Sequence, residues 1–168
     1  YSTGMMSAKD AMAATAFNAA DHKHDDGNWG AAALLRYAPR AGVVLELGYA
    51  RKSQSPNLYE LYAWGRGSMS SRMIGWYGDG NGYVGNLALK PEKADTLSAA
   101  ARFSGGGEDG WRVAIEPFYT KVQDFIDVRK LADLTDASGK PSGFVQLQFA
   151  NVDARLHGVD VSAEAPLW

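Results

Sequence analysis

From Trp29 onward, six stretches of the chain alternate apolar and polar residues with a period of two, the pattern of strands that bury one face. Trp29, Ala31, Ala33, Leu35 and Tyr37 share a face, and after a turn at residues 38–42 so do Val43, Leu45, Leu47 and Tyr49. Leu97, Ala99, Ala101 and Phe103 form the next run. A glycine-rich turn at 105–110 leads to Trp111, Val113, Ile115, Pro117 and Tyr119. Val145, Leu147 and Phe149 make a fifth run, and Val159, Val161, Ala163, Ala165 and Leu167 a sixth, with a turn expected between them at 151–157. Short turns between alternating runs predict hairpins, and the sum is an all-β, antiparallel meander of about six strands. Residues 1–27 show no clean period and are expected to form a loop region ahead of the first complete strand.

The opposite faces carry Arg36, Glu46, Arg102, Arg112, Glu116, Gln146, Gln148, Asp160 and Glu164. Half-buried strands of any antiparallel sheet look like this, so a soluble β-sheet domain with an aromatic ligand-binding loop is one reading. The aromatics favour another. Tyr37, Phe103 and Trp111 lie beside the short turns, while Trp29, Tyr49, Tyr119 and Trp168 lie at the opposite strand ends. Two aromatic rows one strand-length apart match the girdles of a transmembrane β-barrel, with short turns on the periplasmic side and long loops outside. Residues 28–168 are therefore expected to be a segment of a large transmembrane β-barrel. Pro117 predicts a bulge or a weakly paired position within its strand. Residues 119–129 keep strand character past the membrane band, so this hairpin should stand clear of the bilayer.

The connection from Arg51 to Glu92 is far longer than the usual four to six residues or so, and it is rich in aromatics, which argues for an ordered functional loop. Its candidate ligand contacts are Trp64, Met69, Met73, Trp76, Tyr77, Asp79 and Tyr83. Thioethers are soft donors that select Cu(I), which makes Met69 and Met73, with Met5, Met6 and Met12 earlier in the chain, candidate copper ligands; equally, methionine fills gaps beneath a loop. Trp76, Tyr77 and Tyr83 offer stacking surfaces for a siderophore-like ligand. His22 and His24 are candidate metal ligands in an acidic stretch that reads as readily as a solvated loop tip. Asp79-Gly80-Asn81-Gly82 lacks the later acids of a calcium loop and reads as turns.

Composition narrows the classes. The net charge of −2 gives no basic face for nucleic acid, and the absence of cysteine removes disulfides and thiolate chemistry. No nucleophile elbow, HExxH motif or phosphate-binding glycine loop is present, so neither an enzyme nor a resident cofactor is expected. No apolar run approaches the roughly 20 residues of a membrane helix.

Two stretches carry a family resemblance. Residues 49–62 (YARKSQSPNLYELY) and 85–94 (GNLALKPEKA) resemble barrel elements of TonB-dependent outer-membrane receptors. Residues 117–127 and 149–160 resemble two further elements, with Asp160 where the family has Glu. Residues 76–86 are most similar to the copper-receptor type. Leu87 stands where the second element usually has Pro. The resemblance assigns structural roles to Arg51, Ser55, Pro56, Asn57, Glu60, Gly85, Asn86, Lys90, Pro91 and Glu92, with Glu92 expected to pair with Arg51 or Lys52. It implies a place in the outer membrane among its lipids, uptake of a metal or metal chelate, and coupling to TonB through a plug domain absent from this chain. A family barrel has about 22 strands. The chain stops within an alternating run at residues 166–168, so it is expected to be one piece of such a barrel.

Overall fold

The computed structural model describes residues 15, 17–65, 74, 80–107, 110–136 and 138–166, with the side chains of residues 64 and 65 left out. Its elements are β1 (Ala31–Arg40), β2 (Val43–Gln54), α1 (Leu58–Tyr62), β3 (Trp64–Gly65), β4 (Gly82–Val84), β5 (Glu92–Gly105), β6 (Trp111–Thr135) and β7 (Pro141–Glu164). All seven strands lie in a single sheet, in the order β1-β2-β5-β6-β7-β4-β3. The five long strands form the expected antiparallel meander, because each alternating run is followed by a turn that reverses the chain. At the β1–β2 turn Gly42 supplies the left-handed backbone (φ 76°), where a side chain would also strike Ser104.

Two expectations are corrected. The sheet is mixed, since β4 runs parallel to β7, pairing Gly82, Tyr83 and Val84 with Gln146, Leu147 and Gln148. The turn expected at residues 151–157 is instead the middle of β7, a continuous strand of 24 residues. The reason lies in its neighbour. The strand β6 continues for 25 residues and pairs with β7 from Arg112 to Thr135, through register shifts that do not end the ladder. Polar residues at 151–157 thus mark the emergence of the hairpin from its apolar band. At about 3.3 Å per residue, β6 spans roughly 80 Å, well beyond a band about 25 Å tall. A register shift between Val122 and Phe125 marks the emergence, with Asp124 in the left-handed region at φ 56°. Pro117 leaves a gap in the β5–β6 ladder between Ser98↔Phe118 and Ala101↔Ile115 without changing the register.

Cross-strand register sorts the wall into two faces. Leu35, Leu47, Ala99, Pro117 and Val159 occupy one face, as do Tyr37, Leu45, Ala101, Ile115 and Val161. This face is open, with Leu47 50%, Val159 60% and Val161 68% exposed. Soluble monomers rarely expose so broad an apolar surface. The buried core lies elsewhere. Leu61, Ala63, Tyr83, Leu89, Ile126, Leu147 and Phe149 form one cluster where the β2–β5 connection packs on the tall part of the β6–β7 hairpin.

Candidate functional site

The polar face of the wall carries a network of charges, in which Arg36 stands directly opposite Glu46 and Arg102 reaches diagonally to its partners on both neighbouring strands. Arg102 bonds Glu46 and, at 2.7 Å, Glu116, while Arg36 lies 3.7 Å from Glu46. Thr96 and Thr120 hydroxyls meet at 2.8 Å. Beside the pairing gap at Pro117 a cavity of about 170 Å³ opens, lined in part by Glu46, Ser98, Arg102, Glu116 and Asp160. Charges facing one side and aliphatics facing the other suit a wall between an aqueous lumen and lipid.

Above the wall, the two resemblance motifs form one cap. Asn57 begins α1, its side-chain oxygen accepting from the amides of Tyr59 (2.9 Å) and Glu60 (3.0 Å). The Glu60 carboxylate accepts in return from the Asn57 amide and side chain, both at 2.7 Å. This reciprocal capping box is what fixes a helix of only five residues. Glu60 is buried, and desolvation raises its carboxyl above the usual range despite the Asn57 amide. Ser55 accepts from Asn28 at 2.6 Å, and Pro56 is buried beneath the turn.

The second motif closes on the first. The amides of Gly85 and Asn86 donate to the carbonyls of Ala63 (2.6 Å) and Glu60 (2.9 Å). Gly85 passes so close to the Leu61 backbone that no Cβ fits there. The Asn86 side chain donates to the Phe149 carbonyl at 3.0 Å. Lys90 donates its amide to Asn151 at 2.9 Å, and the Asn151 side chain donates back to the carbonyls of Lys90 (3.0 Å) and Asp124 (2.6 Å). Pro91 is half-buried just ahead of β5. Glu92 does not pair with Arg51 or Lys52. Its carboxylate accepts from the Ile126 amide at 2.6 Å, and Arg51 takes Asp95 instead, because register sets Arg51 opposite Asp95 and Glu92 opposite Gln54.

Of the expected ligand contacts, Met69, Met73, Trp76, Tyr77 and Asp79 lie outside the described residues. The backbone of Trp64 pairs with Val84 and that of Gly65 with Tyr83, so the ends of the 66–81 stretch are held side by side. The Tyr83 side chain is corrected to a core role. It is fully buried and stacks on Phe149 with ring centroids 6.2 Å apart, so it presents no face to a ligand. His22 lies against the rings of Phe17 and Tyr62, and Tyr62 donates to its carbonyl at 2.8 Å. His24 contacts Asp26 at 2.9 Å. Among the described residues no group of three or more His, Asp or Glu converges on a metal position.

Asn151 and Asp124 hold these segments together without belonging to any expected site, and Asn81, in the expected turns at 79–82, accepts from the Val145 amide at 3.1 Å through its side-chain oxygen. A signal was present for Asn151, which stands within the family-like element at residues 149–160.

The family described as "TonB dependent receptor-like, beta-barrel" matches residues 7–168. No curated protein matches the chain. Among solved structures, the siderophore receptor PirA from Pseudomonas aeruginosa is similar with a TM-score of 0.63 and 21% identity, covering 84% of this chain and 26% of its own. A mutant ferric enterobactin receptor, PfeA, from the same organism has a TM-score of 0.56 and 24% identity over 84% of this chain and 20% of its own. Another PfeA mutant, in complex with enterobactin, has a TM-score of 0.53 and 24% identity over 80% of this chain and 19% of its own. The chain thus spans about a quarter or less of the structures it matches. With the two-faced wall and the match over nearly its whole length, the chain belongs to the TonB-dependent receptor β-barrel family.

Proposed function

We propose that this chain is part of the barrel of an outer-membrane receptor that takes up a metal chelate of the siderophore class, driven by TonB through a plug domain. The two-faced wall carries the reading, with exposed Leu47, Val159 and Val161 on one side and the Arg36–Glu46–Arg102–Glu116 network on the other. A lipid-facing surface and a polar lumen are what outer-membrane passage requires. The receptor binds and releases its ligand without chemistry upon it.

The cap serves as a rigid base, and recognition falls to the stretch between Trp64 and Tyr83, whose ends β3 and β4 hold together. Trp76 and Tyr77 suit stacking on an aromatic chelator. The named relatives are receptors of siderophores, which supports a ferric chelate over bare copper. Copper, with Met69 and Met73 as donors, is the competing ligand. The test is uptake of labelled iron chelates and of copper by cells whose only receptor is the full gene product. Chelate uptake that falls in Trp76→Ala and Tyr77→Ala supports the proposal. Copper uptake lost in Met69→Leu and Met73→Leu reassigns the ligand, and a product found only in the soluble fraction overturns the receptor reading.

A further inference from the structure

The chain that leaves the cap through β3 returns through β4, and its return is fastened to the tall hairpin residue by residue. Gly82, Tyr83 and Val84 pair with Gln146, Leu147 and Gln148. The same parallel register continues ahead of β4. Asn81 accepts from the Val145 amide at 3.1 Å through its side-chain oxygen, and the Phe144 ring lies so close over Gly80 that a Cβ there would strike it. Gly80 also holds a left-handed backbone, with φ 99°. Residues 80–84 thus lie one for one along residues 144–148 of β7.

Three residues of parallel ladder hold weakly by themselves, since parallel pairing is the less stable kind. The two contacts ahead of them are made by side chains, and they fix the point at which the chain joins β7. A second fixed point lies at Ile74, which packs against the buried cluster that contains Tyr83 and Phe149. Only residues 75–79 separate Ile74 from Gly80, and Trp76 and Tyr77 are among them. At about 3.6 Å per residue, covalent reach keeps Trp76 within about 7 Å of Ile74 and Tyr77 within about 11 Å of Gly80. Where Gly80 is held therefore decides what volume the two aromatics can sample. Fixing that volume before a ligand arrives lowers the ordering cost of binding. Asn81 and Phe144 have this effect without touching the ligand.

We propose that Asn81 and Phe144 are positioning residues for ligand recognition, clasping the chain to β7 so that Trp76 and Tyr77 are set in advance for an aromatic chelate. This rests on the reading that those two aromatics stack on the ligand. Cells whose only receptor is the full gene product would be given a radiolabelled ferric tris-catecholate, and uptake followed against its concentration. Asn81→Leu and Phe144→Ala should each raise the half-saturation concentration by about fivefold, the scale of one net hydrogen bond, with the maximal rate kept. Asn81→Asp, which keeps an acceptor for the Val145 amide, should recover the lost affinity. In a Tyr77→Ala receptor the penalty of Asn81→Leu should shrink, because a group that it positions is gone. A full penalty in that background overturns the proposal, and so does Asn81→Asp behaving like Asn81→Leu. A lower maximal rate at unchanged half-saturation means lost receptor and also overturns it. Absence of catecholate uptake by the unaltered receptor defeats the ligand reading beneath the proposal. Catecholate uptake indifferent to Asn81→Leu and Phe144→Ala defeats the proposal alone.

Discussion

Asn151 ties three segments together, accepting from the Lys90 amide and donating to the carbonyls of Lys90 and Asp124. Replacing it with Ala removes all of these bonds and should cost about 2 kcal/mol, at net values near 1 kcal/mol or less for partly exposed groups. Hydrogen exchange at the Lys90 amide, faster in Asn151→Ala, checks it. Two carboxylates give pH dependences of opposite sign. Burial raises Glu60, so between the ordinary carboxylate value and the raised one the folded cap holds more protons than the unfolded chain. Stability is then highest below the ordinary value and falls as pH rises through the raised one. Glu60→Gln should flatten that slope in the exchange of the Leu61 amide. Asp136 goes the other way. The Ser138 hydroxyl, followed by the Lys140 amide, lowers its carboxyl, so the 136–140 turn is fully held above the ordinary value and loosens as pH falls through the lowered one. Exchange at the Ser138 and Lys140 amides should accelerate in acid, and Asp136→Ala should remove the effect.

At the scale of elements, alternation made the wall legible. Each of β1, β2, β5 and β6 follows a run of apolar residues at every second position, and the polarity of Pro117's neighbours hid nothing of the gap it causes. Pro117→Val supplies an amide to the β5–β6 ladder and should stabilise the wall by about 0.5–1 kcal/mol, read as a higher midpoint in denaturant unfolding of the folded receptor. The interior of β7 was not legible. Asn151, Asp153, Arg155 and His157 read as a turn because the alternation of apolar and polar residues lapses once the hairpin leaves its apolar band. Nor was β4 legible. Its three residues find their partners at Gln146–Gln148, far along the chain, and no local pattern records a contact at that separation. Tyr83 was misassigned for the same reason. Exposure of a loop aromatic depends on what packs over it, here Phe149.

For the molecule as a whole, the membrane reading makes a sharp distinction between neighbouring positions. Leu47→Arg puts a charge in the middle of the apolar face and should cost about 2–4 kcal/mol in bilayer-reconstituted receptor, whereas Ser98→Arg, on the charged face, should cost far less. Equal effects in a bilayer would contradict a lipid-facing wall. The family and the cap motifs were legible because they rest on residues whose backbone roles are local, such as Asn57 and Gly85. The ligand was not, since a binding site assembled from several loops leaves no local pattern in any one of them. One small element bears on how such a wall is built. By lying along β7 at Gln146–Gln148, β4 covers the edge that a following strand would otherwise climb. A newcomer pairing upward from Glu164 meets a stop near Phe149. On the proposed barrel reading, the tall hairpin carries its own terminator, which limits register slippage where a neighbouring strand pairs and covers an edge that stray chains could otherwise join.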